Sequence, residues 1–462
     1  MPAPRAGPRL GWVKARSEVV AVSAAALVVA AAFLIPHLHV GIVTPLIHAD
    51  SRRIHQFAQT APIFGWWKPH IGWGSPVALF IGGATVWWGP TVAQRVRWRA
   101  LILMAWATAG AWAFALAMID GWQAGFAGRL TTEHEYLRQI ATISDIPAAV
   151  RSFARRIPDY QPDSWMTHVS GHPPGALLTF VWLDRIGLGG GAWAATLCLG
   201  VGSSAAAAIL VTLRAVDDEA TARRAAPFVV VAPTAIWVAV SADGYFTGVA
   251  AWGLASLALA SRGRARAPVT LALGSGLLLG WAIFLNYGLA LLALLVLAVL
   301  LSAPRQRSSW TAAAAAIPAA LLIVAAFAVA GFWWWDGYIL VQQRYWQGIA
   351  ADRPFPYWSW ANLASATCAI GLGSVAGIAK VCDVAAIRRR SGSHLIVLAA
   401  LLAILCADLS MLSKAETERI WLPFTVWLTA APALLPSSSH RWWLALNVAG
   451  ALLINHLIYT NW

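Results

Sequence analysis

Apolar residues along this chain come in long unbroken runs rather than in the strict alternation of a half-buried strand. Runs suited to crossing a bilayer as helices lie near 17–37, 77–93, 99–119, 191–212, 225–241, 244–261, 268–285, 288–303, 311–331, 361–379, 394–412, 420–436 and 441–459. They predict an all-α polytopic membrane protein of about thirteen transmembrane helices, one transmembrane domain over 1–462. The longest segment without a spanning run is Asp120 to Gly175, which also holds the densest set of ionisable side chains. Loops of that length are uncommon as plain connections and are usually functional. It is therefore expected to be the reactive face, with the helices as its support. Ala176 to Ile186 is apolar but short, and is expected to dip into the membrane and return.

Composition removes the soluble alternatives. The chain is 59% hydrophobic and 11% charged, against about 25% charged in an ordinary soluble protein. The Arg-rich N-terminus before Val19 to Leu34 resembles a signal peptide, but the run is long enough to span and lacks a clear cleavage site, so it is expected to stay as the first helix. Cys198, Cys368, Cys382 and Cys406 fall in or beside apolar segments, without metal-ligand or disulfide spacing. Many of the 28 Trp sit near the ends of apolar runs, where indole favours the membrane interface.

The net charge of +14 acquires a meaning once it is divided between loops. With the N-terminus inside, inner segments receive Arg5 to Arg16, Arg95 to Arg99, Arg214 to Arg224, Arg262 to Arg266, Arg305, Arg307, Lys380, Arg388 to Arg390 and Arg441. The other side is then nearly neutral. This is the positive-inside pattern, not a nucleic-acid-binding surface, and no nucleic-acid partner is expected. It places three polar loops together on the extracytoplasmic side: 38–76, 120–190 and 332–360.

Several groups on that side carry candidate chemistry. Glu133 and Glu135 stand two residues apart, and on a helix would point about 200° apart. One would then aim at a substrate while the other faces a neighbour or water; a solvated loop helix is the plainer reading of either. His168 and His172 lie in His168-Val-Ser-Gly-His-Pro-Pro-Gly175, where the prolines force extended backbone and then permit a helix start. Imidazole there can bind phosphate, orient a carboxylate or ligate a metal, or belong to a rigid helix start and nothing more. In 332–360, Arg344, Tyr345 and Arg353 stand among Trp333 to Trp335, Trp346 and Trp358. Aromatic rings and guanidinium suit a lipid-linked sugar phosphate, and equally an aromatic belt with snorkelling Arg. Asp408, Lys414, Glu416, Glu418 and Arg419 form either a local ion network or, through Lys414 and Arg419, a phosphate site. Asp50, with His48, Arg52, Arg53 and His55, lines an acceptor entrance or lies in solvent.

Glu133-x-x-Tyr136-Leu137, a spacer, and Pro173-Pro174 leading into a short apolar helix together resemble the GT-C superfamily of polyprenyl-phosphate-dependent glycosyltransferases, such as protein O-mannosyltransferases and aminoarabinose transferases. Asp243 in Ser-Ala-Asp243 and the Ser413 to Pro423 segment are similar to later elements of that superfamily. The chain departs from it in having Thr132 where family members often carry an adjacent acid, and two extra helices before the loop. The resemblance implies an inverting transfer from a polyprenyl-phosphate sugar to a cell-envelope glycan, lipid or protein hydroxyl, in the cell membrane with the site facing outward. Juxtamembrane helices in 120–190 would form the catalytic loop and 332–360 the substrate-binding loop. Glu133, Glu135 or Asp120 would be the general base; His168, His172, Arg344, Tyr345, Arg353, Lys414 and Arg419 would meet the donor phosphate and sugar. Asp50, Asp243 and Glu416 would support the acceptor or the site. A phosphate leaving group requires no cofactor, although the His and Glu content leaves room for a divalent ion. Richness in Ala, Arg and Trp is compatible with an actinobacterial source and an arabinofuranosyl or mannosyl donor. The competing classes are a lipid or glycan transporter or flippase, and a glycan polymerase or ligase using diphosphate-linked donors.

Overall fold

A computed structural model describes residues 9–38, with side chains from Ser17 onward, together with 60–262, 266–303 and 307–460. Helix α1 (Arg9–Leu38) is followed by a three-residue strand β1 (Gly65–Trp67), α2 (Gly74–Arg95) and α3 (Trp98–Ala117). The long polar stretch folds into short pieces, α4 (Leu137–Ile140), α5 (Ile146–Arg151) and α6 (Thr167–Ser170), and then α7 (Pro174–Arg185). Helix α7 starts on Pro173-Pro174, as its fixed proline φ favours. At twelve residues it is about 18 Å long, well short of a bilayer core.

The bundle continues with α8 (Gly191–Val216), α9 (Glu219–Val230), α10 (Ala235–Val238), α11 (Ala242–Ser261), α12 (Pro268–Ile283), α13 (Leu292–Ser302) and α14 (Arg307–Val329). Then come α15 (Trp334–Gln347), α16 (Phe355–Ile370), α17 (Leu372–Ile378), α18 (Val384–Arg388), α19 (Gly392–Leu409), α20 (Thr417–Ile420), α21 (Leu422–Leu428) and α22 (His440–Leu457). A strand β2 (Ile458–Thr460) closes the chain antiparallel to β1, Gly65 opposite Thr460.

The all-α, multi-pass character is as the apolar runs predict, but thirteen spans are not confirmed. Among the described residues six helices are long and apolar enough to cross a membrane: Ser17–Leu38, Trp98–Ala117, Gly191–Val216, Ala242–Ser261, Arg307–Val329 and Gly392–Leu409. A seventh follows if α16 and α17 are taken as one span, and they are bent by 106° at Gly371. The remaining runs are helical but short, broken or less apolar. Pro233 separates α9 from α10, and the 420–436 run splits between α21 and a 3₁₀ turn at Ala431–Leu434. Proline removes a donor and clashes with the preceding turn, and these two runs break next to one, although Pro90, Pro227 and Pro318 lie inside α2, α9 and α14.

Helix α11 is the centre. It packs against α8, α12, α14 and α21, and 83% of its apolar window is buried. Small residues permit close helix approach where lipid supplies no hydrophobic drive: a Cβ on Gly276 of α12 would stand 2.1 Å from the Ala316 carbonyl of α14. Helix α11 runs from Ala242, with Asp243 in its first turn, to Ser261, whose carbonyl accepts from Ser308. Twenty residues give about 30 Å, so its two ends define two ends of the bundle. Beyond its C-terminal end, Arg262 donates to the Asp217 carbonyl, beside Arg389 and Arg390. The acids and imidazoles of the 120–173 region gather at its N-terminal end.

Candidate active site

Asp243, in the first turn of α11, is buried, and its Oδ2 accepts from Arg419 Nη1 at 2.6 Å. The other Arg419 Nη lies 3.1 Å from Glu416, whose second oxygen accepts from Arg353 at 2.9 Å. Arg353 also donates to the Lys414 carbonyl at 2.6 Å. Asp243, Arg419, Glu416 and Arg353 thus form an alternating chain of charge that ties α11 to α20 and to the residues before α16. Each fixed charge is paired, which is the condition for burying it. Burial pushes Glu416 up, but the charges of Arg353 and Arg419 hold its carboxyl down at about 2. Burial opposes the Arg419 charge too, yet Asp243 and Glu416 raise its pKa above the ordinary guanidinium value.

The backbone around Glu416 is unusual. Ala415 and Glu416 have φ of +66° and +62°, a left-handed conformation that residues with a Cβ adopt at a cost. Asn362 of α16 holds the turn, accepting from the Ala415 N–H and donating to Asp408 and to the Ser413 carbonyl. Glu418 points away from the cluster, accepting from the Phe64 N–H and from Ser365.

Lys414 differs from its neighbours. Its side chain is buried; Nζ donates to the Arg353 carbonyl at 2.8 Å and lies 4.7 Å from the centre of the Trp346 ring. Among the described residues no carboxylate stands within ion-pair distance of it. Burial and the Arg353 charge pull its ammonium below the ordinary lysine range. Its backbone N–H donates to the hydroxyl of Tyr345 at 2.9 Å, which fixes α15 over the cluster. Arg344, one residue earlier, ion-pairs with Asp159 and donates to Ser170. Helix α15 therefore joins the 120–173 region to the 410–421 segment, while Trp333, Trp335, Ile339 and Trp346 remain exposed. A polar inner face under an exposed aromatic face is the pattern of a helix lying in a membrane interface.

The carboxylates predicted as bases separate by environment. Glu133 is 82% exposed, with His134 at 3.5 Å. Glu135 is 4% exposed and its carboxylate meets His168 Nδ1 at 2.9 Å. Burial pushes Glu135 up, but the His168 charge and hydrogen bond, with Arg419 and His172, outweigh it and leave the carboxyl below its usual range. The stretch 132–136 is a turn and not a helix; the backbone bond from His168 N–H to the His134 carbonyl, 3.1 Å, holds it inward. Tyr136 stacks on Phe180 and makes ring contacts with His168 and His172. His172 Nδ1 bonds the His168 carbonyl at 2.7 Å, and burial lowers its pKa to about 4.

Asp120 belongs to a separate cluster just after α3. Arg129 and His70 Nε2 each approach it at 2.6 Å, and His70 Nδ1 faces the Lys68 carbonyl, also at 2.6 Å. Lys68 and Arg129 flank the Tyr459 ring on β2. His70 and Lys68 did not stand out in the sequence, although the run Trp66-Trp67-Lys68-Pro69-His70 marks an aromatic and basic segment. Asp50 lies outside the described residues.

Of the predicted site, Glu135, His168, His172, Asp243, Arg353, Glu416 and Arg419 come together, with Lys414, Tyr345 and Arg344 beside them. Glu133 and Asp120 do not join that group. Among the described residues no group of three or more His, Cys, Asp or Glu is arranged to hold a metal ion. The cluster can bind an anion at Lys414 and accept a proton at the Glu135–His168 pair.

No protein-family model matches this sequence, and no curated protein does. Among solved structures, the chain is similar to the oligosaccharyltransferase of Archaeoglobus fulgidus in complex with Zn and sulfate, at 16% identity and a TM-score of 0.47, over 77% of this chain and 51% of that one. The apo form gives 13% identity and 0.46, over 73% and 50%. The same archaeal enzyme with an inhibitory peptide and a dolichol-phosphate gives 12% and 0.41, over 73% and 50%. This chain thus aligns with about half the length of those structures.

Proposed function

We propose that this protein is a membrane glycosyltransferase that moves a sugar from a polyprenyl-phosphate donor to a hydroxyl of a cell-envelope acceptor, with inversion at the anomeric carbon. The observation that carries the reading is the buried Lys414 ammonium, which among the described residues has no carboxylate partner, beneath an aromatic helix and linked through Arg353, Glu416 and Arg419 to the surroundings of the Glu135–His168 pair. A buried cation without an anion is unfavourable, so the site is built for an anion that arrives. Helix α15 lies where the head group of a lipid would sit, and Trp346 offers the ring face that sugars and cations both favour.

In the reaction, the Glu135 carboxylate, oriented by His168, takes the proton of the acceptor hydroxyl as its oxygen forms a bond to the anomeric carbon. The bond from that carbon to the phosphate oxygen breaks, and its electron pair leaves with the phosphate. Lys414 meets the charge that accumulates there, with Arg344 as the next cation. Stabilising charge that develops in the transition state is usually the largest catalytic term. Asp243, Arg419, Glu416 and Arg353 pair with one another, although Asp243 Oδ1 is buried without a hydrogen-bond partner among the described residues; their work is to hold the 410–421 turn and Lys414 in place. Of the three carboxylates considered as base, Glu135 has a buried imidazole partner at 2.9 Å, whereas Glu133 and its neighbour His134 are both exposed. Asp120 is held between Arg129 and His70, which suits it to anchoring β1 and β2.

The test is transfer by the purified full-length protein in lipid, given radiolabelled mannosyl and arabinofuranosyl polyprenyl phosphates with envelope acceptors. Label appearing in the acceptor with inverted configuration supports the reading. Donor that crosses the bilayer with its glycosidic bond intact would make the protein a transporter.

A further inference from the structure

At the other end of the bundle, about 30 Å from Asp243 along α11, an open cavity of about 480 Å³ lies between the C-terminal end of α8, the start of α9 and the N-terminus of α19. Arg224, Arg389, Arg390 and His394 line it, with Asp217 and Asp218. The carboxylates there are already engaged. Asp217 accepts from the N–H groups of Gly392 and Ser393, both at 2.7 Å, and so caps α19. Asp218 accepts from the Thr221 N–H at 2.7 Å and caps α9.

The cations are not engaged in that way. Arg224 donates to the Ala433 carbonyl and to Thr221, neither of them charged. Among the described residues, the Arg389 and Arg390 guanidinium groups have no ion pair and no hydrogen bond. Arg390 also sits at φ +60°, just past the end of α18, where glycine is the usual residue because a Cβ is unfavourable there. Retaining an arginine in that conformation is a backbone cost that its side chain must offset. Ser302, at the end of α13, and Leu434 complete the lining, so the cavity opens where the apolar helices end, at head-group level.

We infer that this cavity is a binding site for a phosphate-bearing ligand, held by Arg389 and Arg390 with Arg224 behind them. Guanidinium groups bind phosphate in paired hydrogen bonds. The position at the ends of the apolar helices suits the head group of an anionic phospholipid, and the same chemistry would admit a soluble phosphate. The inference stands independently of the transfer reaction.

The test uses the full-length protein in neutral detergent, with its melting temperature followed during titration with phosphatidylglycerol, with phosphatidylcholine of the same chains, and with inorganic pyrophosphate. A saturable rise with phosphatidylglycerol, absent with phosphatidylcholine, is expected. The apparent affinity should fall at least tenfold in Arg389→Ala and in Arg390→Gly, and should stay within twofold in Arg388→Ala, whose side chain does not line the cavity. Arg390→Gly relaxes the left-handed backbone, so the variant should fold at least as well as the parent and its loss reports the side chain. A rise with pyrophosphate alone, lost in the same variants, keeps the site and makes its ligand soluble. No rise with either ligand, unchanged affinity in Arg390→Gly, or equal loss in Arg388→Ala overturns the inference.

Discussion

The two ends of this bundle treat charge in opposite ways. Around Asp243 the ionisable groups are buried and paired with one another, carboxylate to guanidinium and carboxylate to imidazole, with Lys414 left over. Around Asp217 the carboxylates cap helices, and Arg389 and Arg390 lie open, without a partner among the described residues. Charge at the first end determines local structure, since removing one member strands another in a dry environment. At the second end it is largely solvated and stabilises the fold little. A net charge of +14 therefore says little about the part of the molecule where chemistry is expected.

The largest difference between the ends should appear in stability. Asp243→Asn leaves Arg419 without its shortest ion pair and should cost about 3–5 kcal/mol, read as a fall in the thermal or denaturant midpoint of the purified protein. A loss under 1 kcal/mol would mean that the Asp243 end is as wet as the other. Next in size is Lys414→Ala. If Lys414 meets the leaving phosphate, its removal should slow transfer by about 10²-fold while the midpoint changes little, because no carboxylate is stranded.

A smaller effect distinguishes the ends by pH. His172 has its pKa lowered to about 4 in the folded protein, against about 6.5 when unfolded. Below pH 6.5 the unfolded chain binds the proton first, so stability should fall as pH drops toward 4, by roughly 2 kcal/mol between pH 7 and pH 5. His172→Gln should flatten that slope, and an unchanged slope would remove His172 as its source. Smallest of all, Arg389→Ala should shift stability by less than about 0.5 kcal/mol in the absence of added phosphate ligand.

How much of this was legible in the sequence also differs by region. The apolar runs and the division of charge were plain, because both are local averages over many residues. Thirteen spans are not confirmed, because hydropathy alone shows a run and not its breaks, and Pro233, Gly371 and Pro432 lie where three of the runs are divided. In the 120–173 region the sequence showed that Glu133 and Glu135 would face different ways, but not which one turns inward. That choice depends on His168, 33 positions after Glu135, whose backbone and side chain both engage the turn. The ion chain was harder still: the Arg419–Asp243 contact joins positions 176 apart, and no local pattern announces such a pair. His70 was missed for the same reason, since its partner Asp120 lies beyond a whole helical hairpin.

The central claim is that the buried Glu135 carboxylate, held by His168, and not the exposed acid two residues before it, takes the proton during transfer. Sugar transfer should be measured side by side for Glu135→Gln and Glu133→Gln in the same lipid, with folding checked by melting temperature. The account predicts that Glu135→Gln falls by about 10²–10⁴-fold while Glu133→Gln stays within about twofold. Full activity in Glu135→Gln, or an equal loss in both, would contradict it.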